Sequence, residues 1–299
     1  MESAVPCATE GNSAQKSYST MNDKEERQYD IKLYEYLADD GDAFGYNMLG
    51  YCYYHGFEVK QNYKIAVEWY RKGVEMNHPP SMYNLAICYE SGNGVPQDYK
   101  EALRLYKLVA KSDDFVSREA LQDIGRFYFM GIFVEKNYEI AVKWYRKAAK
   151  LELPRAEFSL GYCYEEGHGV KQNYTEAVKW YAKAAKQGHD VAQWMLGRCY
   201  HNGRGVEQNY EEANKWFYLS AKQGNCYAQN SLGYALEHGL GIEQSYEEAL
   251  EWYRKAAEKG LPSAYESIGY FYEKGLGVKR NMKEAEKWYN LSDNQNKRN

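Results

Sequence analysis

A pair of adjacent aromatic residues recurs along this chain at an almost constant interval. Trp-Tyr, or once Trp-Phe, begins at Trp69, Trp144, Trp180, Trp216, Trp252 and Trp288. Leu33-Tyr34 and Leu105-Tyr106 hold the same place in two less regular copies, so successive copies start 36 residues apart, except for one step of 39. The longer step contains a three-residue insertion within residues 111–119. A fixed period of this length indicates a protein built from stacked repeats.

Each repeat has the pattern of two helices. In the first, helix A, Ala156 of the fourth copy defines offset 0; Leu or Ile follows at offset 4, Gly or Ala at offset 5, and usually Tyr at offset 8. These positions share one helical face, and the small residue at offset 5 allows a neighbouring helix to approach closely. In the second, helix B, the alanines and aromatic residues within 173–188 form the apolar stripe, and Gly188 is a suitable stop.

The ends of these helices are also marked in the sequence. Helix B follows a pattern that resembles a capping box, in which the cap and a Glu three positions later each bind the other's backbone N–H. The pairs are Asp98 and Glu101, Asn173 and Glu176, Asn209 and Glu212, Ser245 and Glu248, and Asn281 and Glu284. The preceding turn reads Gly-X-Gly-Val or Gly-X-Gly-Ile, except where Glu58 or Phe133 replaces the second glycine. Because a positive φ is uncommon without glycine, we expect these two turns to take another shape.

The repeats predict an all-α fold, a right-handed α–α superhelical solenoid of seven helix-turn-helix repeats of about 36 residues. One further helix is predicted near residues 27–39. One pair of helices cannot bury its apolar face alone, so stacking must create the core. The repeat domain is predicted to cover residues 27–292, with disordered polar tails at 1–26 and 293–299.

The shared pattern A-x-x-x-L-G-x-x-Y-x-x-G-x-G-V-x-x-[ND]-Y-x-x-A-x-x-W-Y-x-x-A-A-x-x-G resembles the Sel1-like repeat, a longer relative of the tetratricopeptide repeat. The resemblance covers residues 27–292 and implies a non-enzymatic adaptor or scaffold that assembles protein complexes. Some secreted bacterial members carry a cysteine pair in each repeat and are associated with penicillin-binding or β-lactamase activity. This chain lacks that pairing, so an enzyme or ligand binder of that kind is the less favoured alternative.

The stretch GYCYEEGHGV, residues 161–170, brings together Cys163, Glu165, Glu166 and His168, the components of a metal site or a nucleophilic centre. The other copies provide an internal comparison. The position of Cys163 is also filled by Phe and Ala, which indicates a buried apolar slot, and the positions of Glu166 and His168 preserve no chemistry. We therefore predict no catalytic residue, no metal and no cofactor. Glu165, with the neighbouring Tyr162, remains of interest as surface.

Charge and hydropathy exclude other classes of protein. The formal net charge is −4, which provides no basic footprint for nucleic acid. No segment approaches the roughly 18 apolar residues of a transmembrane helix, and no secretory signal is present, so we expect no membrane insertion and a cytoplasmic location. We expect a monomer, with pairing through the single N-terminal helix as the alternative.

Offsets 2, 6 and 9 of helix A share a face that would line the concave side of such a solenoid. This face is rich in Tyr, Trp and Arg, which are enriched at binding hot spots. The predicted contacts with a protein or peptide partner are Tyr51, Tyr83, Arg126, Phe158, Tyr162, Trp194, Arg198, Tyr234 and Tyr270. Trp194 is the strongest candidate, because it alone among the seven tryptophans falls outside the helix-B register. The alternative is that these aromatic residues pack against one another or against helix B.

Overall fold

The computed structural model describes residues 30–112 and 114–296, and these residues form fifteen α-helices. In chain order the helices are α1 (Ile31–Asp39), α2 (Ala43–His55), α3 (Tyr63–Glu75), α4 (Pro79–Ser91), α5 (Tyr99–Val109), α6 (Ser117–Met130), α7 (Tyr138–Lys150), α8 (Pro154–Glu166), α9 (Tyr174–Lys186), α10 (Asp190–Asn202), α11 (Tyr210–Lys222), α12 (Cys226–His238), α13 (Tyr246–Glu258), α14 (Pro262–Lys274) and α15 (Met282–Asn296). Helix α1 precedes seven A–B pairs, in which even numbers are helices A. The predicted all-α fold of seven helix-turn-helix repeats is confirmed.

The described residues divide into two compact units. The N-terminal unit contains residues 30–156 and 168–170, and the C-terminal unit contains residues 157–167 and 171–296. The core of each unit is built from the helix-B aromatic residues and the apolar face of helices A. The largest buried side chains are Tyr70, Tyr83, Tyr106 and Phe127 in the first unit and Tyr181, Phe217, Tyr253 and Phe271 in the second.

The predicted boundaries need one correction. Helix α15 continues to Asn296, so residues 293–296 are helical and the predicted C-terminal tail begins too early. The buried Ser292 hydroxyl, immediately before these residues, donates to Glu266 at 3.0 Å and joins α15 to α14. The predicted tail at residues 1–26, the first residues of the predicted helix at 27–39, and the end of the chain from 297 lie outside the described residues.

Helix A contacts helix B of the same repeat where glycine faces an aromatic ring. A Cβ added to Gly161 would lie 2.5 Å from Cδ1 of Tyr181, so a larger residue there would require the ring or the helix to shift. The equivalent pairs are Gly50 and Tyr70, Gly125 and Tyr145, Gly197 and Phe217, Gly233 and Tyr253, and Gly269 and Tyr289. The close approach predicted at offset 5 is confirmed.

The capping boxes are half confirmed. The Asn173 side chain accepts the backbone N–H of Glu176 at 3.1 Å, and the other predicted caps accept in the same way. The second predicted bond, from the cap's backbone N–H to the Glu side chain, is wrong. The backbone N–H of Asn173 donates instead to the Tyr164 carbonyl at 2.8 Å, near the end of helix A. Glu176 instead contacts Lys179 on its own helix at 2.6 Å.

The expectation of a different turn at Glu58 and Phe133 is wrong. Their φ angles are 58° and 60°, close to the 67° of Gly169. At Gly241 an added Cβ would lie 2.6 Å from the backbone nitrogen of Glu211, so glycine is required there. Phe133 is 58% exposed, so its side chain reaches solvent while the turn keeps its shape. The strain is confined to one residue and costs about 1–2 kcal/mol.

A glutamine that sequence reasoning passed over joins the two helices of most repeats. Gln172 Nε2 donates to the Glu165 carbonyl at 2.8 Å and to the Tyr174 hydroxyl oxygen at 3.0 Å. Gln61, Gln97, Gln208 and Gln244 make the same two bonds. The signal was present in the sequence, since these glutamines all stand just before the helix-B cap.

Candidate interaction surface

The nine predicted contact residues differ widely in exposure. Tyr162, Tyr234 and Tyr270 are exposed, Tyr51, Arg126, Phe158 and Arg198 are partly buried, and Tyr83 and Trp194 are buried. A buried side chain cannot contact a partner without a rearrangement, so the nine residues do not form one accessible face.

Tyr83 is an interior residue, and its predicted role as a partner contact is wrong. It has no exposed surface, and its hydroxyl donates to Asp123 Oδ2 at 2.8 Å. Its ring lies 5.6 Å from that of Tyr106. Burial, followed by the negative charge of Asp123, raises the pKa of Tyr83 well above its ordinary value, so the hydroxyl remains a donor.

Trp194 is likewise covered by its own chain. It is 8% exposed, and its ring stacks on Tyr227 with centroids 4.9 Å apart. The indole Nε1 donates to the Ser231 hydroxyl at 3.3 Å. The prediction that Trp194 faces a ligand is therefore wrong, and the alternative, that the aromatic residues pack against one another, holds here. The tryptophan joins consecutive helices A, α10 and α12.

Arg198 lies between this tryptophan and a buried carboxylate. Its guanidinium carbon is 5.1 Å from the Trp194 ring centroid, and Nη2 is 3.2 Å from Glu165 Oε1. Arg204 approaches the same oxygen at 3.5 Å, and the Tyr181 hydroxyl donates to Oε2 at 2.7 Å. Glu165 is 3% exposed, so the interpretation of this glutamate as a surface residue is wrong.

Arg126 of the N-terminal unit is held in a similar way. Its Nη2 is 2.8 Å from Glu90 Oε1 and 3.3 Å from Asp123 Oδ1. The Tyr106 hydroxyl donates to Glu90 at 2.9 Å, as that of Tyr181 does to Glu165. Arg126 and Arg198 therefore occupy equivalent positions, each against the offset-9 glutamate of the preceding repeat.

A buried ionic cluster extends from Asp123. Arg155 Nη2 is 3.6 Å from Asp123 Oδ1, and Arg155 Nη1 is 3.8 Å from Glu119 Oε2. Arg118 lies 3.7 Å from the other oxygen of Glu119. Burial raises the pKa of Glu119 to about 7, because the attraction of Arg155 only partly offsets the loss of hydration. This cluster is part of the interior and presents no accessible site.

Two further predicted residues take part in aromatic clusters. The Phe158 ring stacks on His189 at 5.0 Å and lies 5.8 Å from Tyr181. The Tyr51 ring is 4.3 Å from His55, whose pKa burial lowers to about 4. Both clusters leave part of a ring at the surface, so these residues remain candidates for contact.

The exposed predicted residues are three tyrosines of the C-terminal unit, all at offset 6. Tyr162, Tyr234 and Tyr270, on α8, α12 and α14, are 36%, 44% and 42% exposed. The Tyr234 ring lies 4.2 Å from His238 and 6.2 Å from His201. Lys274 Nζ lies 5.7 Å from the Tyr270 ring centroid.

The parts of GYCYEEGHGV do not form a reactive centre. Cys163 is fully buried, as predicted, and the His168 ring packs 4.4 Å from Tyr138. Burial raises the pKa of the Cys88 and Cys199 thiols to about 12, so neither is poised as a thiolate. None of the five cysteines from residue 30 onward is in a disulfide.

Across residues 30–112 and 114–296, no three His, Cys, Asp or Glu residues are grouped to hold a metal ion. In the same residues, no helix is long and apolar enough to cross a membrane.

Seven consecutive segments of the chain match the family model for the Sel1 repeat. They are residues 43–78, 79–114, 118–153, 154–189, 190–225, 226–261 and 262–292. A protective antigen of uropathogenic Escherichia coli with an SLR fold is 36% identical, with a TM-score of 0.75 over 89% of this chain and 56% of the antigen. A Sel1 repeat protein from Oxalobacter formigenes is 32% identical, with a TM-score of 0.72 over 88% of this chain and 99% of that protein. This chain thus spans little more than half of the antigen's length.

Proposed function

Because this chain belongs to the Sel1 repeat family, we propose that it is a non-enzymatic scaffold whose C-terminal unit binds a protein or peptide partner across its helices A. Sel1 repeats are typically protein-interaction modules. The observation that carries the proposal is the recurrence of an exposed tyrosine at offset 6 of three helices, Tyr162, Tyr234 and Tyr270. Tyrosine is enriched at interfaces, because its rigid ring contributes contact area at a small cost in side-chain entropy.

Arg198 adds a preorganised cation to this surface. Its guanidinium is fixed by Glu165 on one side and by the Trp194 ring on the other, while about a third of its side chain remains exposed. A side chain that is already ordered loses less entropy when a partner binds. Trp194 and Glu165 thus support the surface from below rather than touch the partner.

The experiment is affinity capture with the full chain, from a lysate of the cells that produce it. Tyr234→Ser with Tyr270→Ser removes two exposed rings of the proposed surface. Tyr36→Ser with Tyr218→Ser is the matched control, because these tyrosines are 69% and 46% exposed but lie on α1 and the helix-B α11. We expect partners that bind the wild type and the control variant to be lost from the Tyr234 and Tyr270 variant. Capture of the same partners by all three proteins would contradict the proposal.

Two finer expectations belong with this proposal. We expect a monomer, measured by light scattering across micromolar concentrations, and a cytoplasmic location, measured by cell fractionation. A dimer that survives dilution, or recovery outside the cytoplasm, would contradict the corresponding expectation without affecting the proposed surface.

A further inference from the structure

Four helices A carry a glutamate at offset 9: Glu90, Glu165, Glu237 and Glu273. Each accepts a hydrogen bond from the helix-B tyrosine of its own repeat. The donors are Tyr106, Tyr181, Tyr253 and Tyr289, at 2.9, 2.7, 2.7 and 3.0 Å. Since one oxygen of each carboxylate is fixed in this way, the four repeats present the other oxygen in a comparable position.

In two of these repeats the carboxylate also binds an arginine from the following repeat. Glu90 contacts Arg126 at 2.8 Å, and Glu165 contacts Arg198 at 3.2 Å. Both arginines are at offset 6. His201 at offset 9 and Tyr234 at offset 6 of the next repeat also meet, with ring centroids 6.2 Å apart. Offset 9 therefore faces offset 6 of the next helix A.

Glu237 lacks the arginine. The residue at offset 6 of the next repeat is Tyr270. Among the described residues, the side chain of Glu237 is hydrogen-bonded to the hydroxyl of Tyr253. No lysine or arginine in that part of the chain lies within ion-pair distance of it. In the last repeat the equivalent glutamate, Glu273, forms an ion pair with Lys274 of its own helix at 2.7 Å.

The surroundings of Glu237 suit a cation. Tyr234 lies one turn before it on α12 and is exposed, and Tyr270 is exposed on α14. Glu273 holds Lys274, while Glu266, also on α14, accepts the Ser292 hydroxyl at 3.0 Å. Arg280 also lies here, with its Nε donating to the Glu273 carbonyl at 2.9 Å. Three carboxylates against these two cations, Lys274 and Arg280, leave this end of the face with a net negative charge. The backbone is fixed, because the Glu237 carbonyl accepts Gln244 Nε2 at 2.7 Å.

We propose that Glu237, Tyr234 and Tyr270 form a slot that binds the guanidinium group of an arginine presented by a partner peptide, in the position that Arg126 and Arg198 fill elsewhere. The proposal rests on the proposed function and names the partner's chemistry. Guanidinium matches a carboxylate through parallel N–H donors and stacks on aromatic faces, which a lysine ammonium does less well. A half-buried carboxylate strengthens the pairing, because it is less screened by water than an exposed one.

Two variants address the slot without disturbing the core. Glu237→Gln keeps an oxygen to accept the Tyr253 hydroxyl and removes the charge. Tyr270→Arg places a guanidinium from the chain itself where the other two repeats have one, so it should fill the slot. Tyr218→Arg is the matched control, because it adds the same charge in place of an exposed tyrosine on helix α11.

The test is an NMR titration of the full chain labelled with ¹³C in its tyrosine rings. The probes are N-acetyl-arginine amide, its uncharged analogue N-acetyl-citrulline amide, and N-acetyl-lysine amide, with the Tyr234 and Tyr270 signals assigned from Tyr→Phe variants. We expect saturable shifts at both tyrosines with the arginine probe. The citrulline probe should bind with an affinity lower by about tenfold or more. The arginine response should disappear in E237Q and Y270R and persist in Y218R.

Equal affinity for arginine and citrulline, or a response that survives in Y270R, would overturn the slot, and equal affinity for lysine would overturn the assignment to arginine. Affinity capture separates this failure from that of the proposed function. A partner lost on Tyr234→Ser with Tyr270→Ser but retained by both E237Q and Y270R would leave the scaffold standing and remove the slot. Failure to capture any partner through these tyrosines would remove the scaffold itself.

Discussion

The hydroxyl of Tyr181 donates to Oε2 of Glu165 across 2.7 Å, with both side chains buried. This bond links helix B to helix A of the same repeat, and through Arg198 it reaches the next repeat at 3.2 Å. Burial, then the charge of Glu165, raises the pKa of Tyr181 well above its ordinary value, so the phenol is protonated and remains the donor. Glu165, which stands in the sequence beside a cysteine and a histidine as in a reactive centre, is thus part of the packing between repeats.

Tyr181→Phe should lower the free energy of unfolding by about 1–3 kcal/mol, because it leaves a buried carboxylate oxygen without its donor. The measurement is urea denaturation followed by far-UV circular dichroism. Tyr289→Phe is the control, since it removes the same kind of bond, 3.0 Å long, to Glu273, whose side chain is 30% exposed. Water can replace that donor, so we expect a loss of no more than about 1 kcal/mol. Equal losses in the two variants would show that burial of Glu165 does not set the energy.

The second glycine position of the turn between helices A and B allows two predictions, in which the free energy of unfolding changes in opposite directions. Phe133→Gly should raise the free energy of unfolding by about 0.5–1 kcal/mol, because it relieves a non-glycine residue held at a φ of 60°. Gly241→Ala should lower it by about 2 kcal/mol or more, since the added Cβ would lie 2.6 Å from the backbone nitrogen of Glu211. Thermal and urea unfolding of both variants provide the check. A loss of stability in Phe133→Gly would mean that the Phe133 side chain contributes more than its strain costs.

The sequence was sufficient for the fold because the repeats supply their own comparison. Glycine at offset 5 and an aromatic residue on helix B recur together, and such a pattern predicts one close contact repeated along the chain. Exposure at offset 2 was not predictable in the same way. Periodicity shows which face of α10 carries Trp194, but its burial depends on Tyr227, which belongs to the next repeat.

The tyrosine–glutamate bond was not predictable from the sequence pattern alone. Glutamate at offset 9 occurs in four repeats, and each of them has tyrosine 16 residues later, but so do the repeats with Tyr54 and Phe129 at offset 9. Tyrosine at this helix-B position is common to six of the seven repeats whatever residue stands at offset 9, so the two positions alone do not predict the bond. The turns at Glu58 and Phe133 differ from the expectation for another reason. Positive φ is rare without glycine, but a single exposed residue needs only a small energy to adopt it.

Stability should depend on pH through Glu119. Burial raises its pKa in the folded state to about 7 from 4.5, so the folded protein holds this proton more tightly than the unfolded chain does. The resulting stabilisation is complete below pH 4.5 and is lost as the pH rises through about 7. Glu119→Gln cannot ionise, so the wild type should lose up to about 3 kcal/mol relative to this variant between pH 4.5 and pH 8.

Urea unfolding of both proteins across this pH range measures the difference. Arg155 and Arg118 oppose the shift and Asp123 adds to it, and all three remain in the variant. Glu101→Gln, at a partly exposed carboxylate beside Arg104, is the control and should follow the wild type across the range. Parallel curves for the wild type and Glu119→Gln would show that Glu119 ionises alike in the folded and unfolded states.

Trp194→Ala should act on stability rather than directly on partner binding. The indole is 8% exposed, stacks on Tyr227 at 4.9 Å and donates to Ser231, so its removal opens a cavity between α10 and α12. We expect a loss of about 3–5 kcal/mol in the free energy of unfolding, measured by urea denaturation. Tyr234→Ala, which truncates an exposed ring on α12, should cost less than about 1 kcal/mol and should weaken capture of the partner. A Trp194→Ala protein with wild-type stability but without its partner would instead return the tryptophan to the binding surface.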